Sequence, residues 1–346
     1  MIKRAWMRLP DFLSDNLGSK IQNRKLAAIV AVVFTLAMIA VVAQAQQSKK
    51  VPRIGVLFIG SRNQPHLEAF KQGLRERGYT EGKNIVLEYR YAKGNNDRLP
   101  QLAAELVRDK VDVIVTTASV SALAARRATK TIPIVMTSGN PLESGLAASL
   151  AKPGGNVTGL TVLSVDLSGK RVELLRETFP KTMRIAALQS PQDFEAGAGY
   201  KETQEAAKAF SLPLHPVEVQ SANDFEHAFA QMEKARETAL LVILSPMITL
   251  NSRRIVELAL KYRLPGMYPT KQFAEEGGLM AYGPLIPDLY RRAATYVDKI
   301  LKGANPGELP IEQPTKFELV INLQTAKQIS VTIPPSVLAR ADKVIK

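Results

Sequence analysis

The stretch VIVTTASVSALAARRATKTIPIVMTSGNP, residues 113–141, holds two short apolar runs, each followed by small polar residues. The runs at 113–117 and 134–137 are nearly continuous in apolar character and rich in β-branched residues, which is typical of strands covered on both faces. The segment between them carries Arg126 and Arg127 and is predicted as a helix. Strand, helix and strand in this order predict a parallel sheet with right-handed crossovers.

The same alternation continues on both sides of this stretch. Strands are predicted at 53–59, 85–91, 157–161, 184–189, 214–219 and 240–244, and helices at 64–77, 98–109, 167–178, 196–210, 223–235, 250–262 and 287–302. A Pro-Gly-Gly-Asn turn at 153–156 precedes a second series of similar plan, so we predict an α/β fold of two Rossmann-like lobes.

The tail after the last predicted helix is long enough to cross back between the lobes, so we expect domains that are discontinuous in sequence. The predicted N-terminal lobe comprises residues 51–160 and about 283–310, and the predicted C-terminal lobe comprises 161–282 and about 311–346.

The first 45 residues predict an export signal. Arg24 and Lys25 end a basic segment, an unbroken apolar run of 17 residues follows at 26–42, and Ala43-Gln44-Ala45 supplies the small residues that a signal peptidase accepts. We expect cleavage after Ala45 and a periplasmic mature protein. The alternative is that the run stays as a membrane anchor, since its length approaches the roughly 20 residues that span a bilayer.

The cysteine content and the charge distribution of the chain exclude some classes of structure and function. The chain has no cysteine, so an exported protein of this size holds together without disulfides and without a lipidated N-terminal cysteine. Residues 1–45 contain six of the 46 Lys and Arg and two of the 32 Asp and Glu, which leaves a net charge of +10 after cleavage. Because the basic residues are scattered among acidic ones, we expect no nucleic-acid partner.

In an open parallel sheet, ligands bind beyond the carboxyl ends of the strands, where loops meet helix N-termini. The predicted loops there contain mainly hydroxyls, amides and backbone N–H groups, which suit an anionic end of a small ligand. His66, His215 and His227 have no metal-binding spacing and are expected to be surface or packing residues. The chain also lacks a Gly-x-Ser-x-Gly elbow and a complete phosphate or dinucleotide motif. We therefore expect no enzyme, no metal and no cofactor.

Several stretches resemble the ABC-transporter substrate-binding proteins of the family that includes the tryptophan-binding TrpX-type proteins. They are VPRIGVLFIG at 51–60, the stretch 78–107, SGLAASLAKPGGNVTGLTVLSVDLSGKRVELL at 144–175, GGLMAYGP at 277–284, and the stretch 291–345. This resemblance covers essentially the whole mature chain. It implies a type I periplasmic-binding fold with two lobes joined by a hinge, and a ligand closed between them.

The function implied by the resemblance is capture of a small solute, such as an amino acid or an aromatic compound, and its delivery to a membrane permease driven by a separate ATPase. We expect a monomer that meets the membrane only through the permease or an uncleaved signal. The candidate ligand-binding residues at the strand ends are Ser61, Thr117, Ala118, Ser119, Ser138, Gly139 and Asn140 in the first lobe, and Gln189, Ser190, Asp193, Ser245, Tyr268 and Tyr282 in the second.

One departure from the family pattern concerns the charge of the ligand. Relatives often carry an acid where this chain has Asn140, so a partner for an ammonium group would have to be Glu143 or Asp193. Asp193 is the better placed, although a helix N-cap role fits it equally well. Two other classes stay open: a ligand-sensing module for a signalling partner, which uses the same fold, and an exported α/β enzyme.

Overall fold

The computed structural model describes residues 51–61, 65–162, 165–180 and 184–346. The predicted export signal and its cleavage site lie outside the described residues. The strands are β1 (Arg53–Phe58), β2 (Val86–Tyr91), β3 (Val113–Thr116), β4 (Ile134–Met136), β5 (Val157–Gly159), β6 (Ile185–Gln189), β7 (Leu214–Glu218), β8 (Ala239–Val242), β9 (Gly266–Tyr268), β10 (Met280–Pro284), β11 (Phe317–Asn322) and β12 (Lys343–Ile345).

The helices alternate with these strands. They are α1 (Pro65–Arg75), α2 (Leu99–Arg108), α3 (Ser119–Ala128), α4 (Val165–Thr178), α5 (Phe194–Ala209), α6 (Phe225–Lys234), α7 (Pro246–Leu250), α8 (Ser252–Lys261), α9 (Lys271–Glu275), α10 (Ile286–Leu301), α11 (Leu323–Gln328) and α12 (Pro335–Leu338).

The first sheet has the order β2-β1-β3-β4-β5, and its neighbouring strands are parallel. Side chains of β1 alternate between two apolar cores. Val56 and Phe58 pack with α1 and α10, whereas Leu57 packs with α2 and α3. Cover on both faces explains why the inner strands β1, β3 and β4 are so apolar, as the sequence predicted.

The second sheet has the order β12-β11-β10-β9-β8-β6-β7. Helices α6, α8 and α9 cover one face, and α4, α5, α11 and α12 contribute to the other. The prediction of parallel sheets is wrong at one place, because β10 and β11 are antiparallel. The chain leaves β10 into α10, which packs on the first sheet, and it then re-enters the second sheet from the opposite end.

The tail runs along the first sheet before it reaches β11. Leu160 and Glu312 form a parallel bridge, and the Thr158 hydroxyl donates to the carbonyl of Leu309 at 2.7 Å. The chain thus passes between the sheets after β5, after β10 and after Glu312. Within the described ranges, no helix has both the length and the apolar character needed to cross a bilayer.

Candidate ligand-binding site

Loops from both sheets line two neighbouring cavities. The first, which we call the histidine cavity because His66 lines it, has a volume of about 520 Å³. The first sheet contributes Thr117, Ala118, Ser138 and Gly139, the second contributes Ser245 and Thr270, and α10 contributes Tyr290. Each loop residue follows the carboxyl end of a strand, so the strand-end rule placed these loops correctly.

The second, which we call the aspartate cavity, has a volume of about 720 Å³ and is lined by Asp193. Its other polar lining residues include Ser61, Lys93, Ser190, Gln220 and Asn251. The two cavities share Ile59, Gly60, Pro246 and Leu250 as lining residues. Leu250 is 45% exposed at this shared boundary and offers an apolar contact to a ligand.

The start of α3 supplies hydrogen-bond donors to the histidine cavity. The first turn of an α-helix leaves backbone N–H groups without partners in the helix, and its partial positive charge attracts anions. The N-cap residue of α3 is Ala118, whose side chain cannot accept hydrogen bonds from these N–H groups. The hydroxyl of Thr117 is buried and has no hydrogen-bond partner among the described residues. This corner of the cavity can therefore bind an anionic group.

Thr270 faces the same cavity from the second sheet. It is 5% exposed, and its hydroxyl oxygen also lacks a partner in the part of the chain that the structure describes. A buried hydroxyl without a partner destabilises a protein by about 1–3 kcal/mol, unless a ligand or water bonds it. The two hydroxyls, one from each sheet, can therefore bond a polar group of a ligand.

His66 and Tyr290 form an aromatic pair in the cavity wall. Their rings stack with centroids 5.1 Å apart and planes inclined by 28°, and Phe58 meets Tyr290 edge-on at 5.8 Å. Burial, assisted by the positive charge of Lys271, lowers the pKa of His66 to about 4. Burial likewise raises the pKa of Tyr290 to about 12. Both rings are therefore neutral at pH 7 and suit contact with a planar apolar group.

The low pKa of His66 predicts a loss of stability in acid. The unfolded chain, with a histidine pKa of 6.5, binds a proton that the folded protein binds only near pH 4. The free energy of unfolding therefore falls as the pH is lowered from 6.5 to 4, by about 3 kcal/mol from this residue. We expect His66→Phe to lose less stability than the wild type between pH 7 and pH 4 in urea unfolding.

The control for this experiment is His227→Gln, since His227 is exposed and bonds only to Gln231 on its own helix. This variant keeps His66 and should lose as much stability in acid as the wild type. An identical acid loss in His66→Phe and wild type would contradict the assignment to His66.

Asp193 lies at the N-cap position of α5, but its side chain does not bond the helix. Burial raises the pKa of this carboxylate, against the opposing effect of the nearby Ser245 and Ser190 side chains and the Met247 backbone. Its Oδ2 atom is buried without a partner among the described residues. Of the two roles considered for Asp193, the cavity-lining one fits this geometry better than the capping one.

Asn140 and Ser119 are buried one layer behind the cavity. The Asn140 backbone N–H donates to the Ser119 hydroxyl at 2.8 Å, and its side-chain amide donates to Glu143 at 2.6 Å. Glu143 also lies against α5, where a Cβ added at Gly197 would be 3.2 Å from its Oε1. These residues hold the loop after β4 in place and connect it to a helix of the second sheet.

The thirteen predicted site residues thus fall into three groups. Those lining a cavity are Ser61, Thr117, Ala118, Ser138, Gly139, Ser190, Asp193 and Ser245. Those buried behind the cavities are Ser119, Asn140 and Gln189. Those that line neither cavity and pack on apolar neighbours are Tyr268 and Tyr282.

Tyr268 and Tyr282, two of the predicted ligand-binding residues, line neither cavity. Tyr268 is 1% exposed and stacks on Phe273 at 5.1 Å inside the core of the second sheet. Tyr282 is half-buried, and its ring lies 6.4 Å from that of Phe317. The aromatic wall of the histidine cavity consists instead of His66 and Tyr290, neither of which is a predicted site residue.

Comparison with known proteins agrees with this architecture. Residues 60–345 match the family described as ABC transporter substrate binding protein. The chain is 27% identical over 289 residues to a tyrosine-binding protein of Clostridioides difficile strain R20291, with 82% of each chain covered. A conserved domain protein of Vibrio cholerae is 30% identical with a TM-score of 0.80, covering 85% of this chain and all of that one.

A structure described as the ABC domain in complex with L-Trp from Streptococcus pneumonia is 27% identical with a TM-score of 0.79, covering 85% of this chain and 99% of that one. Periplasmic binding proteins only 14–15% identical share the fold alone, which confirms the predicted type I periplasmic-binding fold. Because the family model matches most of this chain, the chain belongs to the ABC transporter substrate-binding proteins, and its role is the binding of a solute.

Proposed function

We propose that this protein works in the periplasm as the solute-capturing component of an ABC importer, and that its two sheets with their helices are lobes that close on the solute. The lobe boundaries we propose are residues 51–160 with about 283–310, and 161–282 with about 311–346. Three connecting segments join the sheets, and this arrangement supports rotation of one lobe against the other about a hinge.

The observation that carries the proposal is the pair of unpartnered hydroxyls in the histidine cavity. Thr117 follows β3 of the first sheet, and Thr270 follows β9 of the second. A ligand that bonds both hydroxyls makes more contacts when the lobes are closed than when they are open, and so it shifts the protein towards the closed state. A transporter can distinguish loaded from empty protein by that closure.

The remaining parts of the proposal concern location and partners. We expect export directed by the first 45 residues with cleavage after Ala45, a monomer in solution, and transfer of the solute to a permease with a separate ATPase subunit. The protein binds its solute without converting it. The family match supports this view, because it is a match to substrate-binding proteins.

A thermal-shift screen of the purified protein tests the proposal. Amino acids, aromatic acids, nucleobases and sugars are added in turn, and each compound is recovered afterwards for mass analysis. A true ligand at 100 times its Kd stabilises the folded state by about 2.7 kcal/mol. We expect hits from one chemical class, recovered unchanged. The absence of any hit would reject the proposal, and a converted compound would show an enzyme.

Thr117→Val tests the placement of the solute. Valine keeps the shape of threonine but removes the hydroxyl, so we expect about tenfold weaker binding of the screened ligand by calorimetry. Thr131→Val, at an exposed threonine remote from both cavity linings, is the matched control and should bind as the wild type does. Equal affinity in Thr117→Val and wild type would move the ligand away from α3.

A further inference from the structure

We propose that the solute is an aromatic carboxylic acid without an α-ammonium group, bound in the histidine cavity with its carboxylate at the start of α3. This inference rests on the proposed function and names the chemical class of the solute. It follows from the hydrogen-bond donors and acceptors that the cavity offers.

Donors are available where the carboxylate would lie. The helix α3 has 10 residues, and the hydroxyl of Thr117, 8% exposed, is unbonded in the described structure directly before its first turn. The equally buried hydroxyl of Thr270 lines the same cavity. Two hydroxyl donors and a helix N-terminus match the two oxygens of a carboxylate, which accepts hydrogen bonds and cannot donate them.

Carbonyl groups at this place already accept hydrogen bonds within the protein. The Thr117 carbonyl accepts from the Ser138 hydroxyl at 2.9 Å, and the Ala118 carbonyl accepts from the Ser121 hydroxyl at 3.0 Å. The Asn140 carbonyl accepts from the Ser144 hydroxyl at 2.6 Å. An ammonium group is positively charged and has three donors to satisfy, so burying it beside these carbonyls and the partial positive charge at the start of α3 is unfavourable.

The acids that the structure describes are also badly placed for an α-ammonium group. Glu143 bonds Asn140, and Asp193 lines the aspartate cavity rather than the histidine cavity. Glu275 and Glu276 line the histidine cavity at the last residue of α9 and directly after it, whereas Thr270 precedes the first residue of that helix. The two acids and Thr270 therefore lie at opposite ends of a helix of five residues.

Glu275 and Glu276 also have partners of their own. The carboxylate of Glu275 accepts from Lys343 at 2.8 Å, and that of Glu276 accepts from the Gln272 amide at 3.1 Å. Both acids that line the cavity among the described residues are thus engaged by neighbouring side chains.

The rest of the cavity suits an uncharged ring. The stacked His66 and Tyr290 provide a flat aromatic wall, and Val162, Leu244 and Ile286 provide apolar contacts. Aromatic rings pack well against such walls in offset or edge-on arrangements. The cavity thus pairs one anion-binding corner with an aromatic and aliphatic wall.

Calorimetry with matched pairs of compounds tests the inference. L-Tyrosine is compared with 3-(4-hydroxyphenyl)propionate, and L-tryptophan with indole-3-propionate; within each pair the compounds differ only in the ammonium group. We expect at least one of the two acids to bind tenfold or more tightly than its amino acid. The carboxamide of that acid should bind at least tenfold more weakly than the acid, because it lacks the negative charge.

Three results would overturn the inference. Tighter binding of either amino acid than of its matched acid would show that the site accepts an ammonium group. Equal binding of acid and carboxamide would remove the carboxylate from the donor corner. If neither acid binds while the thermal-shift screen finds another solute class, the ligand assignment fails and the proposed transport function stands.

Discussion

Gly159→Ala is expected to lower the free energy of unfolding by about 3–5 kcal/mol. Gly159 ends β5 with φ at +127°, a backbone conformation that residues with a side chain rarely adopt. A Cβ at this position would overlap the carbonyl oxygen of Met136 and lie 2.7 Å from its nitrogen. Since both atoms belong to the neighbouring strand β4, relief requires the two strands to separate. The loss is measured by chemical denaturation.

Gly155→Ala is the matched control. Gly155 lies in the turn before the same strand, and a Cβ there would meet no atom within 4 Å. We expect this variant to unfold within about 0.5 kcal/mol of the wild type. If Gly159→Ala were equally harmless, the close packing of β5 on β4 would be wrong.

Arg171→Met is expected to cost about 2–4 kcal/mol of stability and to weaken ligand binding. Arg171 is 7% exposed on α4, and its guanidinium donates to the carbonyls of Tyr282 at 2.7 Å and Pro269 at 3.4 Å. Burial lowers its pKa to about 10, so the side chain remains charged at pH 7. Methionine fills similar space but cannot donate, and it leaves both carbonyls without this donor.

The effect on binding follows from the position of Pro269, which directly precedes the cavity residue Thr270. Without the guanidinium, the loop after β9 loses a bond that fixes it to α4. Urea unfolding and calorimetry with the screened ligand measure the two losses. Arg253→Met, at an arginine whose side chain is 84% exposed, should change neither quantity beyond about 0.5 kcal/mol. Unchanged stability in Arg171→Met would mean that other groups satisfy these carbonyls.

The fold was largely predictable because most strands and helices are indicated by their own short stretch of sequence. Strands covered on both faces have continuous apolar runs, and their alternation with helices indicated the α/β class. The direction of β11 was not predictable, because it depends on the end of the sheet at which the chain re-enters. The single predicted helix at 250–262 is interrupted at Asn251, whose backbone is not helical.

The candidate site was predictable only in part. Loops after strands could be identified from the sequence, which is why Thr117, Ser138 and Asp193 line the cavities. Which side chain of a loop or strand faces the cavity depends on packing, so Tyr268 was predicted at the site although Thr270, two residues later, lines the histidine cavity. No sequence pattern indicated that Tyr290 lines a cavity, since its helix joins the first sheet from a distant part of the chain.

The late position of α10 also bears on how the protein is made. Tyr79 and Asp298, which bond across the junction of α1 and α10, are 219 positions apart, and Arg77 and Thr295 are 218 apart. Contacts between such distant positions are slow to form. During synthesis, the face of the first sheet that packs on α1 and α10 stays incompletely covered until residue 301 has left the ribosome. A nascent chain therefore stays incompletely folded through most of translation and exposes apolar surface to chaperones until then.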